Sequence, residues 1–434
     1  MRLKNIIRST VAAGISFGLS LGLVACSRDY TVAWVYTISG GSSNGFISAY
    51  GVDYETGILN QVAGSPFSFP FTNPSMVVAA PNNKFIYVIG GSENAQVEEF
   101  SVGTDGKLYG EHTYNLTGTE APNTGQVPLK VGAAIDSTGT FLYVTFTYQN
   151  GYSPASPGPG GVTIFQISQT DGSLSNPQTL NVGNNPVGVA VSTPVCVTTP
   201  VISSNPSCTG VAGGGSGVYN VYVYVLDQEA SPNATILGFA QNMSTGALTP
   251  LSGTTNSTTV HTGYPAGVTP SAIAIDGTAR YVYVTDEQQN EVLGYSIARS
   301  TTGNLTPLSG SPFGTGLFPV AITVDPRSYY VYTANYNSNT VSQFTISQAT
   351  GNLSTIAGGT FTAATGPTCV TVEPALGIFL YTSDYESSTI SGGELSANTG
   401  AVNAVTNSFF TTSANPSCIT SVANGAHAVS VLTP

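Results

Sequence analysis

The chain reads as an all-β, seven-bladed β-propeller with four antiparallel strands per blade, and three features predict it. An aromatic–aliphatic–Tyr run occurs seven times, a Gly-containing turn keeps step with it, and a spare Pro-led strand stands at the C-terminus. No helical period persists over a useful length, and Gly and Pro punctuation is too dense for helices.

The Tyr runs are Trp34-Val35-Tyr36-Thr37, Phe85-Ile86-Tyr87-Val88, Phe141-Leu142-Tyr143-Val144, Tyr222-Val223-Tyr224-Val225, Tyr281-Val282-Tyr283-Val284, Tyr330-Val331-Tyr332-Thr333 and Phe379-Leu380-Tyr381-Thr382. Aromatic and β-branched residues in such runs fit pleated, buried strands. The turn element follows each run, as Thr56-Gly57, Asp105-Gly106, Asp171-Gly172, Thr245-Gly246, Thr302-Gly303, Thr350-Gly351 and Thr399-Gly400. Gly supplies the positive φ of a tight turn between strands. A Pro-led apolar strand precedes the Tyr run at Pro74, Pro186, Pro270, Pro319 and Pro367, and less cleanly at Pro128. Pro is tolerated at a strand's first residue, where no ladder hydrogen bond is lost. Each unit therefore has four strands: Pro-led, Tyr, a third run such as Thr340–Ile346, and a fourth after the Gly turn. The first unit lacks its Pro-led strand, and Pro416–Val422 is the spare one. It is expected beside Val32–Ile38, closing the ring and covering an otherwise open edge.

In such a blade the Pro-led strand runs from top to bottom. The loops after the Tyr and fourth strands then lie on top, and the other turns lie below. Two insertions lengthen the third and fourth units. Gln149–Gly161 belongs on the top face, as a binding feature or a disordered tip. Thr193–Gly217 belongs below and contains Cys196 and Cys208.

The N-terminus sets the compartment. Arg2, Lys4 and Arg8 precede a short apolar run that ends in Leu23-Val24-Ala25-Cys26. This is the pattern of a secretory signal. Leu-Val-Ala-Cys resembles the lipobox of bacterial lipoproteins, which implies cleavage before Cys26 and acylation of that residue. The expected organisation is a signal peptide at 1–25, an anchored linker at 26–31 and the propeller at 32–434. Five residues separate Cys26 from Val32, a reach of roughly 17 Å, so the bottom face is expected near the membrane. The expected location is the cell envelope, at the outer membrane or the cell surface.

Without residues 1–25 the chain keeps 7 Lys and Arg against 22 Asp and Glu. Such an anionic protein lacks the cations that nucleic acid requires. Four cysteines remain in an exported chain, and four allow three pairings. The preferred ones are Cys196–Cys208, which closes a short ring, and Cys369–Cys418, each two residues after a strand-opening Pro. The alternative for the second pair is two small buried thiols, because neighbouring inner strands are not hydrogen-bonded partners.

The repeats are similar to the lactonase-type seven-bladed propellers with Tyr-Val-Thr-Asn repeats. Tyr283-Val284-Thr285-Asp286 and Tyr332-Thr333-Ala334-Asn335 match that motif best. The resemblance covers nearly the whole chain after the signal, and it implies the fold more firmly than an activity. Some members hydrolyse 6-phosphogluconolactone, with His and Arg near the inner strands. Here those strands carry Ser, Ala, Val, Gly, Thr and Cys, with Lys130 as their one cation, so no catalytic residue transfers.

The top-face candidates are Asp227, Asp286, Asn335 and Asp384 at the Tyr-strand ends, with Glu229, Glu287 and Glu386 nearby. They are read either as an acidic rim binding Ca²⁺ or a cationic or sugar ligand, or as caps of their own turns, and the ligand of the top face as a whole is expected to be a protein or a glycan. Asp276, Asp325 and Glu373 end the Pro-led strands below and read as turn residues. Of the three histidines, His112 lies on an outer strand and His427 near the C-terminus. His261, in a long top-face loop, is the single candidate general base. No zinc spacing, phosphate loop or nucleophile elbow is present, and no metal or cofactor is expected. The primary expectation is a monomeric, lipid-anchored binding module acting through its top face. The alternative is a lactone hydrolase working at the channel mouth.

Overall fold

Each Tyr run occupies the second strand of an antiparallel sheet in the computed structural model, which describes residues 30–91, 95–116, 131–146, 159–210, 214–228, 234–256 and 261–425. The described residues contain no helix, and thus none long and apolar enough to cross a membrane. Their strands form seven sheets of four or more strands and one two-stranded hairpin, an all-β propeller. We number the sheets 1 to 7 by their Tyr runs. Sheet 5 is built from Pro270–Ile275, Tyr281–Asp286, Glu291–Ile297 and Leu305–Pro307. Sheet 6 is built from Pro319–Val324, Tyr330–Asn335, Thr340–Ile346 and Leu353–Thr362, and sheet 7 repeats the order from Pro367 to Thr411.

Sheets 1, 4 and 5 depart from the expected four strands. In sheets 1 and 5 the connection to the next sheet folds back along the third strand, so Phe67–Phe69 pairs with Gly45–Asp53 and Phe313–Gly314 with Glu291–Ile297. Sheet 4 gains Tyr264–Pro265 in the same way, plus two short strands of the Thr193–Gly217 insertion.

The two repeats visible in the sequence are the two halves of one contact between adjacent sheets. The Tyr side chains are fully buried. Six of them donate their hydroxyl to the carbonyl of a turn glycine in the next sheet, at 2.5–3.0 Å: Tyr36 to Gly106, Tyr87 to Gly172, Tyr224 to Gly303, Tyr283 to Gly351, Tyr332 to Gly400 and Tyr381 to Gly57. Tyr143, which corresponds to Gly246, has no such partner among the described residues. The aromatic residue two places before each Tyr lies against the same glycine. A Cβ on Gly57, Gly106, Gly172, Gly246, Gly303, Gly351 or Gly400 would run into Phe379, Trp34, Phe85, Phe141, Tyr222, Tyr281 or Tyr330 respectively. These glycines also have φ between 66° and 83°. They are thus required twice, for a left-handed backbone and for the room an aromatic ring takes. The apolar core lies between sheets at these contacts. Trp34 and Tyr36 pack with Ile86, Val88 and Leu108, and Phe379 and Tyr381 pack with Tyr50 and Val52.

The Pro-led strands are the innermost. Pro416–Ala423 lies antiparallel to Thr31–Ser39, with Ala33 opposite Ala423 and Ile38 opposite Cys418. It also lies between the inner strands of sheets 7 and 2. Hydroxyls tie inner strands together, Thr368 donating to the Pro416 carbonyl at 3.3 Å and Ser417 to that of Pro74 at 2.8 Å. Cys369 and Cys418 are disulfide-bonded with Cα atoms 5.1 Å apart, and Cys196 and Cys208 with Cα atoms 5.9 Å apart. Convergence of the inner strands brings the first pair within bonding reach although they share no ladder. Both bonds fit an oxidising compartment.

The turns that follow the inner strands of sheets 3, 5, 6 and 7 share one design. Asp136 accepts two backbone N–H bonds of the turn it opens, and Asp276, Asp325 and Glu373 accept three each, at 2.6–3.3 Å. These acids hold turns.

Candidate functional site

The four top-face residues singled out by the sequence, Asp227, Asp286, Asn335 and Asp384, are all fully buried. Asp227 accepts bonds from the Asn184 and Asn185 amides, the shorter at 2.7 Å. Asp286 accepts from the amides of Val268, Thr269, Gln288 and Gln289 at 2.5–3.2 Å. Asn335 and Asp384 sit in matching hydroxyl cages. The Asn335 amide donates to Thr340 Oγ1 and Ser342 Oγ, while Asp384 accepts from Thr382, Thr389 and Ser391. Buried polar groups bonded in this way are satisfied within the protein and fix the turns around them. Asp227 and Asp286 thus take amides from the loops before their inner strands, whereas Asn335 and Asp384 are held by hydroxyls two to seven residues away. Burial pushes the Asp384 carboxyl up to about 6, against the lowering effect of its hydroxyl donors.

His261 lies on the two-stranded hairpin, opposite Asn256. Its Nδ1 is 3.0 Å from Asn256 Oδ1, and the Asn256 amide donates to the Asn181 carbonyl, so the hairpin rests on the upper end of sheet 3. His112 is exposed on the outer strand of sheet 2, 3.4 Å from Glu99. Among the described residues no three His, Cys, Asp or Glu side chains gather in a metal-binding group. The described inner strands carry no charged residue and no His. Cys26, Lys130, Glu229, His427 and most of the Gln149–Gly161 insertion lie outside the described residues.

The loops anchored by Asp286 and Asn335 enclose a feature the sequence did not reveal. An open cleft of about 510 Å³ between the tops of sheets 5 and 6 is lined by Thr269, Glu287, Gln288, Asn290, Leu317, Phe318 and Asn337. Leu317 is 56% exposed. Phe318 has φ of 60°, a conformation rare for a bulky residue. Its amide donates to Asn290 Oδ1 at 2.7 Å and its carbonyl accepts from the Tyr336 amide at 2.9 Å. Its ring meets Tyr336 edge-on, with centroids 6.4 Å apart. Tyr336 in turn donates to Glu386 at 2.5 Å. Burial and the neighbouring Glu386 carboxylate push the Tyr336 hydroxyl up to about 12, so it stays a donor.

The two faces differ in charge and aromatic content. Every Lys and Arg among the described residues, namely Lys84, Lys107, Arg280, Arg299 and Arg327, lies in a lower turn. The exposed tyrosines, Tyr30, Tyr54, Tyr109, Tyr219 and Tyr329, also lie at the lower end. The top face has acids, amides and hydroxyls, with no described Lys or Arg.

Residues 220–374 match the family described as "Lactonase, 7-bladed beta-propeller", a segment that includes the whole cleft lining. Among solved structures, the chain is similar to a putative 6-phosphogluconolactonase from Bacteroides uniformis, with 17% identity, a TM-score of 0.63, and coverage of 91% of this chain and 100% of that one. It is also similar to a periplasmic gluconolactonase from Pseudomonas aeruginosa, with 17% identity, a TM-score of 0.62, and coverage of 90% and 99%. A functionally unknown protein from Desulfotomaculum acetoxidans matches at 13% identity and a TM-score of 0.58, over 90% and 99% of the two chains. No curated protein matches. The chain thus shares the fold of lactonase-type propellers.

Proposed function

We propose that the protein is an exported seven-bladed propeller, closed into a ring by its C-terminal strand and lipid-anchored at Cys26, that acts as a binding module through its top face. The observation that carries this reading is the polarity of the two faces. All described cations and the exposed tyrosines face the end where the chain enters at Tyr30, and the open cleft faces away from it. Tyrosines suit a membrane–water interface because each has an apolar body and a polar tip. A phosphorylated sugar acid needs cations, and neither the described top face nor the described inner strands supply one. This disfavours 6-phosphogluconolactone as a substrate.

The second reading is hydrolysis of an uncharged lactone, favoured by the family match over the segment that contains the cleft. Glu287 in the cleft wall would then activate the attacking water as general base. One experiment separates the readings. The purified protein is applied to an array of neutral and anionic glycans and assayed with gluconolactone and 6-phosphogluconolactone. Retention on neutral glycans without turnover above the spontaneous rate is expected. Lactone turnover abolished by Glu287→Gln or His261→Ala would establish the hydrolase instead. Retention confined to anionic glycans would contradict the charge argument.

A further inference from the structure

We infer that the cleft between sheets 5 and 6 is a carbohydrate subsite in which Phe318 forms the stacking platform for the apolar face of an uncharged pyranose. The inference deepens the binding reading and rests on it. It starts from one position repeated in five sheets, two of which, sheets 2 and 4, carry Asn73 and Asn185 there, whose carbonyls accept the amides of Gly91 and Gln228. In sheets 5, 6 and 7 Thr269, Phe318 and Gly366 stand immediately before the strand-opening Pro, and their carbonyls accept amides of the neighbouring top loop, from Glu287, Tyr336 and Tyr385 respectively; of the five residues only Phe318 and Gly366 have a positive φ. In sheet 7 this position is a glycine with φ of 72°. In sheet 6 the same left-handed backbone carries a phenylalanine. A bulky side chain there is conformationally unfavourable, and glycine satisfies the backbone at no steric cost. The ring is therefore present against local backbone preference, at the wall of an open cleft. Such departures from local rules concentrate at functional positions.

The lining defines the ligand. Phe318 and the exposed Leu317 make an apolar wall. Gln288, Asn290 and Asn337 offer amides that both donate and accept hydrogen bonds, as do the hydroxyls of a sugar ring. Asn290 Oδ1 is already committed to the Phe318 amide, which fixes the platform relative to the polar side. Glu287 and the nearby Asp286, Glu291 and Glu386 exclude anions, and no described cation offsets them. The volume falls within the range of small-molecule sites. An aromatic face beside paired donors and acceptors, without positive charge, fits a neutral mono- or disaccharide unit.

Isothermal titration of the purified protein tests this with cellobiose, maltose and chitobiose as neutral probes, glucuronic acid as the anionic probe and spermidine as the cationic one. Saturable binding of at least one neutral disaccharide is expected, with no binding of glucuronic acid. Phe318→Gly is expected to weaken that binding at least 10-fold. Its Tm should stay within about 3 °C of the parent, because glycine removes the left-handed strain while adding unfolded-state freedom. Leu317→Ser provides a second reading of the same wall and should weaken binding by a smaller factor. The assignment is overturned if none of the neutral probes binds, if Phe318→Gly binds as the parent does, or if spermidine or glucuronic acid binds more tightly than every neutral probe. Glycan retention on the array that survives Phe318→Gly would sink this subsite and leave the top-face binding reading intact. Loss of all array binding together with lactone turnover would sink both.

Discussion

Replacing Gly303 with Ala is expected to lower the stability of the protein by about 2–4 kcal/mol, while the same change at Gly359 lowers it by about 1 kcal/mol. Both glycines are left-handed, with φ of 74° and 76°. They share the backbone term, in which the cost of the left-handed conformation is partly offset by reduced freedom of the unfolded chain. They differ in what surrounds them. A methyl group on Gly303 enters the ring of Tyr222, whereas one on Gly359 meets nothing within 4 Å. Tyr222 is fully buried and cannot swing aside, so the turn must shift. That shift also strains the 2.5 Å bond from Tyr224 to the Gly303 carbonyl. The difference between the two variants therefore isolates the contact between sheets from the φ effect. Urea unfolding of both proteins checks it, and equal midpoints would show that the glycine serves the turn alone.

This contact also shows how much of the molecule the sequence disclosed. The period of the Tyr runs and of the Gly turns was visible because each repeat must meet its neighbour with the same residue types. The direction of the contact, from one sheet to the next, was not visible, since periodicity carries no information about which copies touch. The candidate site was legible only in part. Asp227, Asp286 and Asp384 stand out as acids at strand ends, yet strand-end position alone does not show that distant loop amides bond the first two and a cage of hydroxyls encloses the third. Phe318 is not legible as a site residue because Leu317-Phe318-Pro319 reads as an ordinary approach to a strand. The signal that would have found it was an alignment of repeats on the strand-opening Pro, which sets Phe318 against Gly366. A strained residue declares itself in sequence only when its unstrained counterpart is available for comparison.

Asp384→Asn is expected to stabilise the protein at pH 8 by about 1–3 kcal/mol and to leave it nearly unchanged at pH 4. Burial raises the Asp384 carboxyl from 3.8 to about 6. A carboxyl whose folded value lies above its unfolded one loses stability as pH rises, because the unfolded chain ionises first. The loss begins near pH 4 and is complete just above pH 6. It amounts to about 3 kcal/mol at most, because each tenfold change in proton affinity is worth about 1.4 kcal/mol. Asparagine removes the ionisation. It is also accommodated without new contacts, because Asn335 occupies the equivalent cage in sheet 6 and donates to Ser342 as an amide at 384 would donate to Ser391. Glu98, Glu99 and Glu373 are likewise raised by burial, but both proteins carry them, so the difference between them reports Asp384. Thermal unfolding at pH 4 and pH 8 gives the comparison. A pH-independent difference would mean that Asp384 is ionised throughout or replaced with a packing defect.

The proposed division of the molecule into a membrane-facing end and a ligand-binding end depends on the ring being closed by Pro416–Ala423 against Thr31–Ser39. Hydrogen exchange by mass spectrometry measures this closure directly. The account predicts that amides of Ala33–Ile38 and Cys418–Val422 are protected together, to the level of the Tyr strand of sheet 6, Tyr330–Asn335. Exchange of Cys418–Val422 at the rate of the exposed turns, with Ala33–Ile38 protected, would contradict it.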